Sequence, residues 1–209
     1  MYSFLGSRLA RKDVVAVIIN YPLSPEANYI DMAMATANAV KWVKENIRQY
    51  GGDPGKIFIS GHSAGGHLAE LVSVNNKYFD SLKISNPIKG TILIDAAGLD
   101  MYEYLKTANL SYDDTYFKTF THDTSQWKQA SPIYFLNNNT PQMIIYRGGR
   151  TYPSIIESNE KYLTEVKQFA PNTAYHIQKN KKHVPMIFQY LNAYNVHYKE
   201  IINFIRNTK

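Results

Sequence analysis

The sequence predicts an α/β fold, a mostly parallel sheet with helices on both faces. Three features lead there: short β-branched apolar runs, helical stretches between them, and a glycine-flanked serine where one run passes into a helix. The chain has 209 residues, 44% of them hydrophobic, which suits one substantial domain spanning 1–209.

The first run, Val14-Val15-Ala16-Val17-Ile18-Ile19-Asn20-Tyr21, reads as a strand buried on both faces and stopped by Pro22 and Pro25. From about Ile30 to Tyr50, Val40, Val43 and Ile47 recur at helical spacing, with Lys41, Lys44, Glu45 and Arg48 opposite. Gly51-Gly52-Asp53-Pro54-Gly55 ends that helix. A short strand, Ile57 to Ser60, leads to Gly61-His62-Ser63-Ala64-Gly65, and a helix follows through Leu68, Leu71 and Val72.

Further strands are expected at Thr91–Ile94, Met143–Tyr146 and Thr173–Ile177. Helices are expected near Ser158–Phe169 and from about Met186 to Arg206, with Ile187, Leu191, Tyr194, Tyr198, Ile201 and Ile205 on one face. The interval 101–131, rich in Tyr, Phe, Asp and Thr, breaks the rhythm where such folds insert a cap over the site.

Composition excludes several classes. No run reaches the ~20 apolar residues needed to span a bilayer, and the opening Met1-Tyr2-Ser3-Phe4-Leu5-Gly6 lacks a signal-peptide layout. With no cysteine, disulfides and thiolate metal sites are excluded. The net charge of +6 is scattered, and Lys179-Asn180-Lys181-Lys182 is a short stretch beside a loop, so no nucleic-acid partner is expected. His62 and His67 lack the H-E-x-x-H arrangement, which leaves packing around a turn as their reading. No metal and no cofactor are expected.

Strand, G-x-S-x-G, then helix is the context in which that motif exposes a nucleophile. Gly61 and Gly65 are expected to leave room for close strand–helix packing, with Gly66 serving similarly. Ser63 is the candidate nucleophile, and the Ala64 N–H is a candidate oxyanion donor at the helix N-terminus. The serine needs a base. Of the three late histidines, His176 falls inside a strand and His197 on a helix surface. His183, in Lys181-Lys182-His183-Val184-Pro185, sits between the last strand and the last helix and is the candidate base.

Asn20-Tyr21-Pro22-Leu23-Ser24-Pro25-Glu26, Val40-Lys41-Trp42-Val43, Gly51-Gly52-Asp53-Pro54 and Gly61-His62-Ser63-Ala64-Gly65-Gly66-His67 follow in order. In this the chain resembles the α/β-hydrolase carboxylesterases of the hormone-sensitive-lipase, ferulate-esterase and kynurenine-formamidase-like type. The likeness is strong from Val14 to about Val74 and looser beyond. It implies an α/β-hydrolase fold and hydrolysis of a small carboxylic ester through an acyl-enzyme.

The same resemblance implies two departures. Relatives carry a His-Gly-Gly-Gly-type oxyanion loop before the stretch matching Tyr2–Gly6, so the fold is expected to be N-terminally truncated. The strand leading to that loop would lie between the one matching Val14–Tyr21 and the one matching Ile57–Ser60. Without it, those two strands should pair directly or leave a sticky edge. Relatives also place their acid in a turn where this chain has Thr151. Asp100, after the strand Thr91–Ile94, is therefore the preferred catalytic carboxylate, with Asp95 and Glu157 as weaker candidates and no acid at all as a further alternative. An amide or formamide hydrolase, or an impaired relative that only binds a ligand, are the competing readings.

Overall fold

The computed structural model describes residues 2–208, so Met1 of the opening stretch lies outside the described residues. The elements in chain order are α1 (Ser3–Ala10), α2 (Tyr29–Asn46), β1 (Ile57–His62), α3 (Ala64–Val74), α4 (Lys77–Ser81), β2 (Ile88–Ile94), α5 (Met101–Thr107), α6 (Thr115–Phe120), α7 (Thr124–Gln129), β3 (Gln142–Gly148), α8 (Pro153–Val166), β4 (Ala174–Gln178), α9 (His183–Phe188) and α10 (Val196–Asn207). The four strands pair in sequence order and every pairing is parallel.

Alternation along the strands puts neighbouring side chains on opposite faces. Ile92, Ile94, Ile144 and Tyr146 pack with Met186 and Ile187 of α9 and with Tyr198 and Ile201 of α10. Leu93, Met143 and Ile145 pack with Tyr162 and Val166 of α8. Ile57 and Ile59 face α2 and α3. Each such side chain, fully buried, contributes roughly 1.5–3 kcal/mol relative to exposure. Continuous apolar strands are thus required, because both sheet faces are covered.

The start of α2 is set by Asn28, whose side chain accepts from the Ile30 and Asp31 N–H groups while Asp31 returns a bond to the Asn28 N–H. This capping box satisfies donors that a helix start leaves without partners. At the other end a 3₁₀ turn, Ile47–Tyr50, leads into Gly51, whose φ of 80° reverses the chain toward β1.

Two expectations are corrected. Val14–Tyr21 joins no strand ladder, and Val15, Val17 and Ile18 are exposed. It does not pair directly with β1. Instead a cavity of about 160 Å³ separates the two, with Val17, Ile18, Ile19 and Tyr21 on one side and Ile59, Ser60, Gly61 and His62 on the other. The apolar character of the run is real, but a strand also needs a neighbour to bond to. The expected C-terminal helix is likewise broken. Asn192 accepts from the Tyr194 N–H and Asn195 caps α10 through the His197 N–H, so α9 and α10 are separate and Tyr194 is 94% exposed. Local side-chain bonds to the backbone outcompeted an otherwise continuous helical periodicity.

Candidate active site

The register carries β1, β2 and β3 to a common level: His62 pairs with Ile94, and Ile94 with Tyr146. The residues just past those positions, Ser63 and Asp95, therefore emerge side by side at the C-terminal edge of the sheet. Each makes a sharp turn. Ser63 has φ 57° and ψ −124°, and Asp95 has φ 47°, both in the left-handed region that non-glycine residues avoid. Such strain persists only where surrounding bonds over-determine it. The Ser63 N–H donates to the Ile94 carbonyl at 3.2 Å, the Asp95 N–H to the Tyr146 carbonyl at 2.7 Å, and the Ala97 N–H to the Ser63 carbonyl at 3.2 Å. From α8, the buried Asn159 amide donates to the Ala96 carbonyl at 2.8 Å.

Glycine is needed where β1 meets α3. A Cβ on Gly61 would overlap the Gly65 carbonyl, and one on Gly66 would lie 2.7 Å from the Ala96 Cβ. Gly65, by contrast, faces open space, so the expectation that it too makes room for packing is corrected.

His183 opens α9. Its Nε2 lies 2.8 Å from the Ser63 Oγ and its Nδ1 lies 2.6 Å from the Asp95 Oδ2. A carboxylate only accepts, so Nδ1 carries the proton and Nε2 is free to accept from the serine hydroxyl. The loop bearing His183 is fixed by the Gly148-Gly149 turn: the Gly149 N–H donates to the Gln178 carbonyl and the Arg150 N–H to the Lys181 carbonyl. A Cβ on Gly148 would lie 2.7 Å from that Lys181 oxygen.

Asp95 is wholly buried and fully satisfied. Beyond His183, it accepts from the Gly148 N–H at 2.7 Å and from the Thr151 hydroxyl at 2.5 Å. Thr151, where the resemblance led to an expected carboxylate, thus donates to a carboxylate that follows the neighbouring strand β2.

Asp100 lines a small cavity beside Ser63 but makes no bond to His183. It caps α5 by accepting from the Glu103 N–H at 3.1 Å and pairs with Lys161 at 2.5 Å. Five residues past Asp95, it has turned away with the chain toward Lys161, and the carboxylate brought to His183 is Asp95 rather than the expected Asp100. The available signal was position: Asp95 directly follows a buried apolar strand, as Ser63 directly follows β1. Glu157 is exposed on α8.

The remaining histidines have other tasks. His67 is buried, and its Nε2 bonds to the Ala130 carbonyl at 2.6 Å; burial holds its pKa below the ordinary value. His176 stacks on Tyr146. His197 pairs with Glu200 at 2.8 Å and is mostly covered rather than a surface residue. The His62 ring lies 4.6 Å from that of His183 and inclined by 30°. His62, Asp95 and His183 bring ligand-type atoms within 4.8 Å of one another. Stacked rings aim their in-plane lone pairs alongside each other rather than at one point, so the trio does not fit the convergent geometry of a metal centre.

The Ala64 N–H, at the first position of α3, is among the donors a helix start leaves without an intrahelical acceptor. Beside Ser63 and Ala64, a cavity of about 120 Å³ is walled by Met101, Tyr104, Tyr116 and Phe120 from the 101–131 segment. No helix of the described residues is long and apolar enough to cross a membrane.

The BD-FAE family model matches residues 1–162. The chain is 42% identical to Esterase LipQ of Mycobacterium tuberculosis over 152 residues, covering 69% of this chain and 36% of LipQ. It is 25% identical over 202 residues to the probable isoprenylcysteine alpha-carbonyl methylesterase ICMEL2 of Arabidopsis thaliana, covering 90% of this chain and 47% of that protein. The chain therefore spans half or less of the length of these curated relatives. Carboxyl esterase 2 from Tuber melanosporum superposes with a TM-score of 0.74 at 22% identity, covering 99% of this chain and 72% of that one. The Pyrobaculum calidifontis esterase does so with a TM-score of 0.75 at 22% identity, covering 97% and 69%. At such identities the structural likeness speaks for the fold alone. The family match and the shared architecture together make this chain a member of the BD-FAE family, with the α/β-hydrolase fold of carboxylesterases.

Proposed function

We propose that the chain is a serine hydrolase that cleaves a small carboxylic ester through an acyl-enzyme. The observation that carries this reading is the continuous bonded line Ser63–His183–Asp95, 2.8 Å and 2.6 Å per step. The esterase names of LipQ and ICMEL2 support the same reaction class.

In this reading the Ser63 Oγ attacks the ester carbonyl carbon as its proton passes to the His183 Nε2. Asp95 holds the imidazole in the required tautomer and stabilises the imidazolium that forms. The Ala64 N–H and the N-terminal end of α3 favour the negative charge developing on the carbonyl oxygen. His183 then gives its proton to the departing alcohol, leaving an acyl-Ser63 ester. Water, activated by the same imidazole, releases the acid and restores the serine. Residues 101–131, as three short helices over the site, would act as the cap. Their aromatic wall and the small cavity favour a short acyl group over a long one.

A fluorophosphonate probe tests the nucleophile, because it needs the same activated hydroxyl. Mass spectrometry should find the adduct on Ser63, with none on Ser63→Ala, and p-nitrophenyl acetate turnover should vanish in the same variant. Equal labelling and turnover in Ser63→Ala would reject the reading.

A further inference from the structure

One side chain at this site has no part in the steps above, although it touches the proposed base at both backbone and ring. His62 is the last residue of β1, immediately before Ser63. Its Nε2 lies 3.2 Å from the backbone carbonyl oxygen of His183, and its ring stacks on the His183 ring at 4.6 Å. A carbonyl only accepts, so this contact requires the proton on the His62 Nε2. The same side chain thus grips His183 twice, at its backbone and at its ring face.

We propose that His62 is a positioning residue that locks His183 in register with Ser63 and Asp95. The proposal rests on the hydrolase reading above. The need for such a lock follows from where His183 sits. Ser63 and Asp95 stand on turns tied to neighbouring strands, whereas His183 comes from the loop after the edge strand β4 and the start of a six-residue helix. His62 links that loop directly to the end of β1, at the opposite edge of the four-stranded sheet from β4. Because His62 and Ser63 are adjacent in sequence, any shift of β1 carries base and nucleophile together.

Electrostatics agree with this placement. Burial, and then the charge of His183 beside it, hold the His62 pKa below the ordinary value, against the bond to the His183 carbonyl and then Asp95, which both raise it. A neutral ring against His183 can support the imidazolium through its π face, whereas a protonated one would repel it. The phenol-bearing Tyr21 lines the cavity on the other side of His62 and carries no charge at neutral pH.

The test compares His62→Ala, His62→Gln and His62→Phe by turnover and by proton NMR. The wild type should show a downfield imidazole N–H resonance from the His183–Asp95 bond, assigned by its loss in His183→Ala. In His62→Ala that resonance should broaden away through solvent exchange. On p-nitrophenyl acetate its kcat should fall roughly ten- to a hundredfold with KM little changed, the pattern of a misplaced base rather than lost binding. His62→Gln, which keeps a donor able to reach the His183 carbonyl, should recover both signals in part, and His62→Phe should recover less. Should His62→Ala fail to fold, the Gln and Phe variants decide between them, and wild-type resonance and kcat in both would overturn the proposal. Serine-dependent turnover in the wild type with no change in any His62 variant would reject the lock while leaving the hydrolase reading standing. Conversely, resonance loss in His62→Ala without serine-dependent turnover in the wild type would support the lock and reject the hydrolase reading.

Discussion

Replacing Asp95 by asparagine changes one atom and tests the acid assignment directly. The Oδ2 accepts from both His183 Nδ1–H and the Thr151 hydroxyl, while Oδ1 accepts from the Gly148 N–H. An asparagine amide offers one acceptor and one donor, so it cannot meet all three. With its oxygen toward His183, its NH₂ confronts the Gly148 N–H across what was a 2.7 Å bond. With its NH₂ toward His183, the imidazole must accept at Nδ1 and carry its proton on Nε2, where it can no longer take the proton of Ser63. Thr151 can rotate its hydroxyl to suit, but a backbone N–H cannot, so the second arrangement is favoured.

A wrong tautomer of this kind costs about 10⁴-fold in kcat, or about 5 kcal/mol of transition-state stabilisation. The control is Asp100→Asn. It keeps a good helix cap and loses only the pairing with the half-exposed Lys161, so kcat should stay within a few-fold of wild type. Both variants are to be assayed on p-nitrophenyl acetate, with circular dichroism melts to show that each is folded. Collapse of kcat in Asp100→Asn with near-normal turnover in Asp95→Asn would refute the assignment of the acid to β2's first residue beyond the strand.

Thr151→Val removes one of Asp95's donors without removing the carboxylate, and should lower kcat roughly tenfold with the loss of one charge-assisted hydrogen bond, read on the same assay. Glu70, buried on α3 with its partner Tyr162, has its pKa raised by burial from 4.5 to about 7. Its protonated form favours folding, so that stability is full below the ordinary carboxylate value and is lost as pH rises through about 7. The interval corresponds to about 3 kcal/mol, so Glu70→Gln should melt roughly 6–12 °C higher than wild type at pH 8 and lose that margin at pH 4. Equal melting at pH 8 would show that the buried acid is not the source of pH dependence. Gly66→Ala places a methyl 2.7 Å from the Ala96 Cβ and should lower stability by roughly 1–3 kcal/mol through overpacking, with a parallel drop in fluorophosphonate labelling as the Ser63 turn shifts. A variant that is more stable than wild type would mean that the helical preference of alanine prevails there over the clash.

Much of this molecule is legible along the chain. Strand runs with β-branched residues, helix periodicity and the Gly51 stop are local properties, and β1, α2, α3 and the later strands lie where those patterns put them. The strand–serine–helix junction at Ser63 is equally readable, because so sharp a turn from strand to helix needs small residues at fixed sequence offsets. The position of His183 between the last strand and a helix could also be read by its order in the chain. What could not be read was distance across the sheet. Asp95 and Asp100 are five residues apart and chemically identical, and only the register His62–Ile94–Tyr146 makes the first of them the neighbour of Ser63 and His183. Thr151 stands where the resemblance leads one to expect a carboxylate, and its hydroxyl donates to the carboxylate that follows the adjacent strand β2. The run Val14–Tyr21 carries the pattern of a buried strand and still joins no sheet, since a ladder is a relation between two backbones. Residue patterns record what each segment prefers alone, whereas a site of three side chains drawn from three segments exists only once the sheet has brought their ends to one level.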